Sequence, residues 1–192
     1  MRPGGGAGET LLVIGGAGGV PSMALQLARQ LSEVRLVATA SRPESEAWVR
    51  ALGAQHVIDH ARPLAAQLEA IDGLPPVSRI FSTHTDTASW AEMAKIIAPQ
   101  GRIGLIDDPE PLDLRLMKFK SVSIHWEAMF TRPMFGTADM QRQHDILNEV
   151  AVLVDGGQLR ATAATDYGPI TAANLRRAHA ALEGGHVVGK IT

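Results

Sequence analysis

Cysteine is absent from the 192 residues. Disulfides and thiolate zinc sites are thereby excluded. Apolar runs stay short of the length that crosses a bilayer, and the opening MRPGGGAGET has no apolar signal-peptide core. A cytoplasmic protein with no membrane partner is expected. Charge of one sign is not in excess: 18 Lys and Arg against 20 Asp and Glu leave a formal charge of -2. With both signs mixed along the chain, no nucleic-acid surface is expected. Aromatics are scarce, at 4%, and the single tyrosine, Tyr167, is assigned no chemistry. His56 and His60 lie four apart, a spacing that would suit zinc on a helix. Their segment, QHVIDH, reads as a short strand, so they are taken as polar residues at a strand end.

What is present is apolar residue in quantity, 45% of the chain, enough for a sizeable core. It is arranged as strand-like runs alternating with helix-like stretches. LLVI (11–14) is a continuous apolar run, as in a parallel strand buried on both faces. The stretch 20–33 reads as an amphipathic helix, with Met23, Leu27 and Leu31 at helical spacing. VRLVATA, QHVIDH, VSRIFST, RIGLID and SVSIHWE read as five further strands. Val122, Ile124 and Trp126 fall on one face of the last by alternation. Helices are expected over 43–53, 63–70 and 86–101, with Asp86 as N-cap of the third. Strict alternation of this kind implies a doubly wound, mostly parallel six-stranded Rossmann sheet with helices on both faces. Residues 1–9 read as a flexible glycine-rich lead-in and 10–135 as the dinucleotide-binding domain. Residues 136–192 form a C-terminal extension of two helices and two strands. Ligands of such sheets bind beyond the carboxyl ends of the strands, which gathers 15–21, 40–42, 82–86 and 106–110 around one cleft.

The first of those segments, GGAGGVP, has the glycines of a dinucleotide-binding turn. Gly16 and Gly18 suit the sharp turn and the close approach of a pyrophosphate. Gly19 and Val20 open a helix whose free N–H groups and dipole favour an anion. Pro21 stands where the third glycine of the pattern belongs. It is expected to delay the helix by a residue or hold it off the sheet, and so to weaken pyrophosphate binding. At the end of the second strand an NAD site usually carries an acid; here stand Ser41 and Arg42, which suit a 2′-phosphate. NADPH is favoured over NADH.

LLVIGGAGGVPSMALQLARQL, VATASRPESEAWVRALGAQHVIDH, IAPQGRIGLIDDPEPLD, KSVSIHWEAMFTR and NLRRAHAALEGGHVVGKI together resemble the medium-chain dehydrogenase/reductase superfamily. The likeness is to its quinone-oxidoreductase-like, zinc-type alcohol dehydrogenase-like branch. The resemblance implies a Rossmann domain that binds NADPH, without zinc in this chain, and reduces a quinone, enone or other carbonyl by hydride transfer. It implies that Gly16, Gly18, Gly19 and Val20 approach the pyrophosphate and that Ser41 and Arg42 hold the adenosine phosphate. Ser82 and Thr83 would lie near the adenine or nicotinamide ribose. Leu105 and Ile106 would flank the nicotinamide, Phe130 would shape its side, and Lys190 would reach a phosphate. It implies also a GroES-like β-domain ahead of the Rossmann domain, with this chain starting where that domain would end. Residues 136–192 would then return to it, and the isolated chain would turn over poorly. The edge strand would pair across a homodimer.

Other residues read as structural. DDPEP (107–111) is a solvated turn rather than an acid–base site, His84 and Asp86 are loop and capping residues, and His125 and Trp126 belong to core or interface. Two other classes stay open: a non-catalytic Rossmann nucleotide-binding or dimerisation module, and a methyltransferase on a similar sheet. The missing acid at 40–42 counts against the last. No residue is assigned as catalytic.

Overall fold

A computed structural model describes residues 5–192, so the first four residues of the glycine-rich lead-in lie outside the described residues. The expected alternation is realised in the order β1 (Thr10–Ile14), α1 (Gly19–Leu31), β2 (Arg35–Thr39), α2 (Pro43–Ala51), β3 (His56–Ile58), α3 (Leu64–Glu69), β4 (Val77–Ser82), α4 (Thr87–Ile96), β5 (Arg102–Leu105), a 3-10 helix (Leu114–Lys120) and β6 (Ser123–Trp126). Then follow α5 (Thr131–Phe135), α6 (Gln141–Asp155), β7 (Ala163–Thr165), α7 (Ala172–Glu183) and β8 (Lys190–Ile191). The large sheet runs β3-β2-β1-β4-β5-β6. Every neighbouring pair in it is parallel. The direction of winding reverses between β1 and β4, and that switch point opens a crevice at the carboxyl ends of the strands.

The sheet is buried because its strands alternate apolar residues to two faces. All five residues of β1 are buried. Leu11 and Val13 point to one side and join Leu25, Leu36, Val49 and Leu52, from α1, β2, α2 and its C-cap. Leu12 and Ile14 point to the other and join Ile80, Trp90, Met93, Ile97, Ile103 and Leu105. Each such side chain contributes roughly 1.5–3 kcal/mol on removal from water. Asp86 caps α4 as expected, accepting from the Ser89 N–H at 2.7 Å.

Two local expectations are corrected. The buried stripe of α1 is Pro21, Ser22, Leu25, Gln26 and Ala28, not Met23, Leu27 and Leu31. The helix is apolar on two faces, and the sheet takes the one with the smaller residues, where close approach is possible. The outer face, Val20, Met23, Ala24 and Leu27, lines a shallow groove with Lys190. On β6, Val122 and Ile124 pack on the core. Trp126, however, is 59% exposed and donates its indole N–H to the Asp107 carbonyl at 3.2 Å. His125 is likewise exposed, because among the described residues no strand lies beyond β6 at that edge of the sheet. The 114–120 segment, for which the sequence gives no expectation, is a 3-10 helix. Its last residue, Lys120, donates to the carbonyls of Ala94, Lys95 and Ile97 at 2.7–2.8 Å, closing the end of α4.

The C-terminal extension is built differently. Neither α6 nor α7 contains a buried residue, and β7 and β8 pair as a separate two-stranded parallel sheet. The extension is fastened to the Rossmann part through α1. The buried Gln26 side chain accepts from the Arg160 N–H at 2.9 Å and donates to its carbonyl at 3.2 Å, and Gln30 donates to the Gln158 carbonyl at 3.0 Å. Among the described residues no helix is long and apolar enough to cross a membrane.

Candidate nucleotide site

The turn after β1 is specified by glycine at two positions. Gly15 has φ +79, a left-handed conformation, and a Cβ there would lie 2.5 Å from Thr83 Oγ1. A Cβ on the buried Gly16 would lie 3.0 Å from the Thr39 carbonyl. The turn is closed by the Gly18 N–H donating to the Gly15 carbonyl at 3.2 Å. It is tied to β2 by the Gly15 N–H donating to Thr39 Oγ1 at 3.0 Å. Thr39, which the sequence did not single out, therefore sets where the turn sits relative to the second strand. Ser22, also missed, does the same for the helix. It donates to the Gly18 carbonyl at 2.6 Å and accepts from the Trp48 indole at 2.8 Å, linking α1 to α2.

Gly18 is the N-cap of α1 and the helix begins at Gly19. The expectation that Pro21 delays it is thus corrected. Pro21 sits buried in the first turn, three residues past the cap, where no N–H has an intrahelical partner and a proline breaks nothing. Its ring stands 3.6 Å from the position of a Gly18 Cβ, an ordinary contact. What Pro21 does remove is one of the N–H groups that a helix start offers to an anion.

Arg42 is the N-cap of α2, with Pro43 fixing the first helical dihedral. The buried Ser45 holds it by donating to the Arg42 carbonyl at 2.9 Å and accepting from its N–H at 3.3 Å. The glycine turn and the β2 end then meet in a cleft of about 400 Å³. Its walls include Gly15, Gly18, Ser41, Arg42 and His60 on the Rossmann side and His186 on the C-terminal extension. The extension's contribution is a strap, 185–190. Gly189 lies in parallel register against Gly18 and donates to the Ala17 carbonyl at 2.7 Å. The Lys190 side chain lies over Gly19, where an added Cβ would be 2.2 Å from Lys190 Cε. Arg42 Nη2 donates to the His186 carbonyl at 3.0 Å.

Of the residues singled out from the sequence, this cleft gathers Gly18, Ser41 and Arg42. Gly16 supports it from beneath, and Gly19 and Val20 form the helix start beside it, Val20 being 46% exposed. Thr83 packs on Gly15 and donates to the Ile14 carbonyl at 3.2 Å. Ser82 is fully buried, and its hydroxyl is consumed between the His84 carbonyl and Thr85 Oγ1. Leu105 is fully buried too, in the core beneath the strand ends. Neither Ser82 nor Leu105 presents its side chain to the cleft, because an outward-reading strand end is the last inward-facing position of its strand. Ile106 is half-buried after β5. Phe130 is 62% exposed on the turn before α5 and is not part of the cleft wall. Asp107 is a missed contributor: its carboxylate accepts from the Thr85 N–H and, at 3.2 Å, from Thr85 Oγ1, pinning the β4 loop to the end of β5. Asp86, on that loop, is held below the usual carboxylate value by the Ser89 N–H and hydroxyl, as a cap and not a proton donor.

The arrangement has the parts of a nucleotide site: a tight glycine turn where Gly15 and Gly16 leave no room for a side chain, a helix N-terminus and a guanidinium at the neighbouring strand end. Comparison with known proteins shows the family. A family model described as zinc-binding dehydrogenase matches residues 52–192. A zinc-type alcohol dehydrogenase-like protein of Staphylococcus aureus (strain COL) is 34% identical over 185 residues, which is 96% of this chain and 54% of the relative. A solved Rhizobium etli CFN 42 protein, provisionally assigned as a zinc-dependent alcohol dehydrogenase, shares 54% identity at a TM-score of 0.88, over 95% of this chain and 53% of that one. A mycobacterial protein solved in complex with NADPH shares the fold, at 22% identity and a TM-score of 0.78, over 100% of this chain and 56% of that one. The chain spans about half the length of the curated relatives it matches. The zinc in the family's description finds no fit in these residues. The chain has no cysteine, and among the described residues no three His, Asp or Glu side chains converge as a metal would require.

Proposed function

The chain belongs to the zinc-binding dehydrogenase family, and from that premise we propose that it is the cofactor-binding part of an NADPH-dependent oxidoreductase reducing a quinone, enone or other carbonyl. The observation that carries this is the meeting of the glycine turn and Arg42 in one cleft. When bound, NADPH supplies the hydride, so the protein needs no nucleophile of its own. The chain's part is to bind and orient. The helix start at Gly19 and Val20 faces the pyrophosphate, the Gly15–Gly16 turn lets the main chain approach it, and Arg42 with Ser41 takes the 2′-phosphate through charge-assisted bonds. No step passes through zinc. None of the described cleft residues is assigned as a proton donor, and these residues alone should turn over poorly.

A homodimer joined along the β6 edge is part of the same reading. β6 has an open side, and the exposed Trp126 stands on it. Pairing with a second copy would cover that edge. The function is tested by titrating NADPH into the purified chain. Saturable one-site binding, tighter than NADH, supports it. Binding of S-adenosylmethionine with no binding of NADPH would replace it with the methyltransferase reading. NADPH binding by the whole protein without any carbonyl or quinone reduction would leave a non-catalytic nucleotide-binding module.

A further inference from the structure

We propose that the strap 185–190 is a specificity element: the His186 main-chain carbonyl positions Arg42, so that the strap's anchorage, and not Arg42 alone, sets the preference for NADPH over NADH. The proposal rests on the nucleotide reading above.

Arg42 has a long, flexible side chain at a helix N-cap and is half-buried in the cleft wall. Its Nη2 donates to the His186 carbonyl at 3.0 Å. A guanidinium has five N–H donors in a fixed planar fork. One occupied by a carbonyl leaves the others free and narrows the orientations the fork can take. The carbonyl thus aims the fork without competing for the phosphate.

The strap is itself held by main-chain contacts at two successive residues. Gly189 donates to the Ala17 carbonyl at 2.7 Å, and the next N–H, of Lys190, donates to the Thr162 carbonyl at 2.7 Å. Gly189 has φ +65, and a Cβ there would lie 2.3 Å from the Thr162 carbonyl and 3.0 Å from the Trp48 ring. Any side chain at 189 must therefore shift the strap. The strap is also a partition. His186 and Val187 line the nucleotide cleft on one side and, on the other, a groove of about 690 Å³ against Trp48, Arg160 and Tyr167. A displaced strap has open space to move into, carrying the His186 carbonyl away from Arg42.

Two measurements on the full chain test this. In the first, hydrogen exchange of the 186–190 amides is followed in wild type saturated with NADPH or with NADH. A phosphate that orders Arg42 also orders the carbonyl bonded to it, so exchange should slow with NADPH and change less with NADH. Equal protection by both overturns the proposal. In the second, Gly189→Ala is titrated with both nucleotides. Misaiming one charge-assisted bond predicts that the variant loses about fivefold to tenfold more NADPH affinity than NADH affinity, while any cost of shifting the contact with Gly18 falls on both nucleotides alike. A folded variant whose NADPH/NADH ratio equals that of wild type overturns the proposal. If the variant does not fold, the exchange comparison decides alone. Wild type that prefers NADPH while the strap is indifferent removes this inference only. Wild type that binds neither nucleotide removes the functional reading and this inference together.

Discussion

Replacing Pro21 by glycine should move affinity and stability in opposite directions. Pro21 lies in the first turn of α1, after the cap at Gly18 and the helix start at Gly19. The first N–H groups of a helix point outward along its axis with no partner in the helix. Position 21 alone in this turn has none to offer. Glycine restores that N–H beside the Gly19 and Val20 groups, and a hydrogen bond to a charged acceptor contributes about 1.5–3 kcal/mol. Imperfect alignment leaves a gain of about 1–2 kcal/mol, or roughly fivefold to thirtyfold in the dissociation constant for NADPH. The apolar packing of the ring is lost at the same time, since Pro21 is buried against the sheet. The unfolded chain also becomes freer. The fold should lose about 1 kcal/mol, a fall of roughly 2–4 °C in Tm. Isothermal titration and thermal denaturation of the two proteins measure both effects. Equal NADPH affinities would show that the amide at position 21 does not face the pyrophosphate, and the account of the turn would have to be abandoned.

Other expectations follow from single contacts. Lys120→Met strips three carbonyls at the end of α4 of their donor. It should cost about 2 kcal/mol and lower Tm by roughly 4–8 °C, with nucleotide affinity unchanged; a Tm within 1 °C, roughly the error of such a scan, would contradict this. Glu9 is held below the usual carboxylate range first by its hydrogen bond to Arg79, at 2.5 Å. A lowered folded pKa gives stability that is present above the ordinary carboxylate value and is lost as pH falls through the folded one. Urea midpoints should therefore drop below about pH 4 more steeply for wild type than for Glu9→Gln, and parallel curves would rule out the pair as a contributor. Placing a charge on the open edge, as in Trp126→Lys, should shift a dimer toward monomer in sedimentation velocity. A species of unchanged size in both proteins would exclude pairing along β6.

Much of this architecture can be read from one strand. LLVI between glycines specifies a strand buried on both faces, and the glycines after it specify the turn, since Gly15 and Gly16 admit no side chain. Asp86 and Pro43 announce their helices for equally local reasons, as hydrogen-bond acceptor and fixed dihedral. The rest depends on contacts between distant parts of the chain. The register of α1 could not be read because Leu25 and Leu27 lie on different stripes, both apolar, and only packing against β1 and β2 chooses between them. Ser82 and Leu105 lie at the ends of their strands but face inward, a distinction set by the pleat and not by position. Pro21 misleads because its restriction on Val20 and the bulk of its ring are expected to displace the helix start, whereas Val20 is helical and the ring makes only ordinary contacts. The strap over the glycine turn had no signal at all. Gly189 looks like an ordinary glycine before a short strand, and its contact with Gly18 joins nearly opposite ends of the sequence.

The central claim is that Arg42 selects the phosphorylated form of the cofactor in the cleft at the end of β2. Competitive titration of wild type and Arg42→Gln with NADPH and NADH tests it most directly. Loss of a guanidinium–phosphate pair should weaken NADPH binding by about 2 kcal/mol, roughly thirtyfold, and leave NADH binding nearly unaltered. Equal losses for the two nucleotides, or none for either, would contradict it.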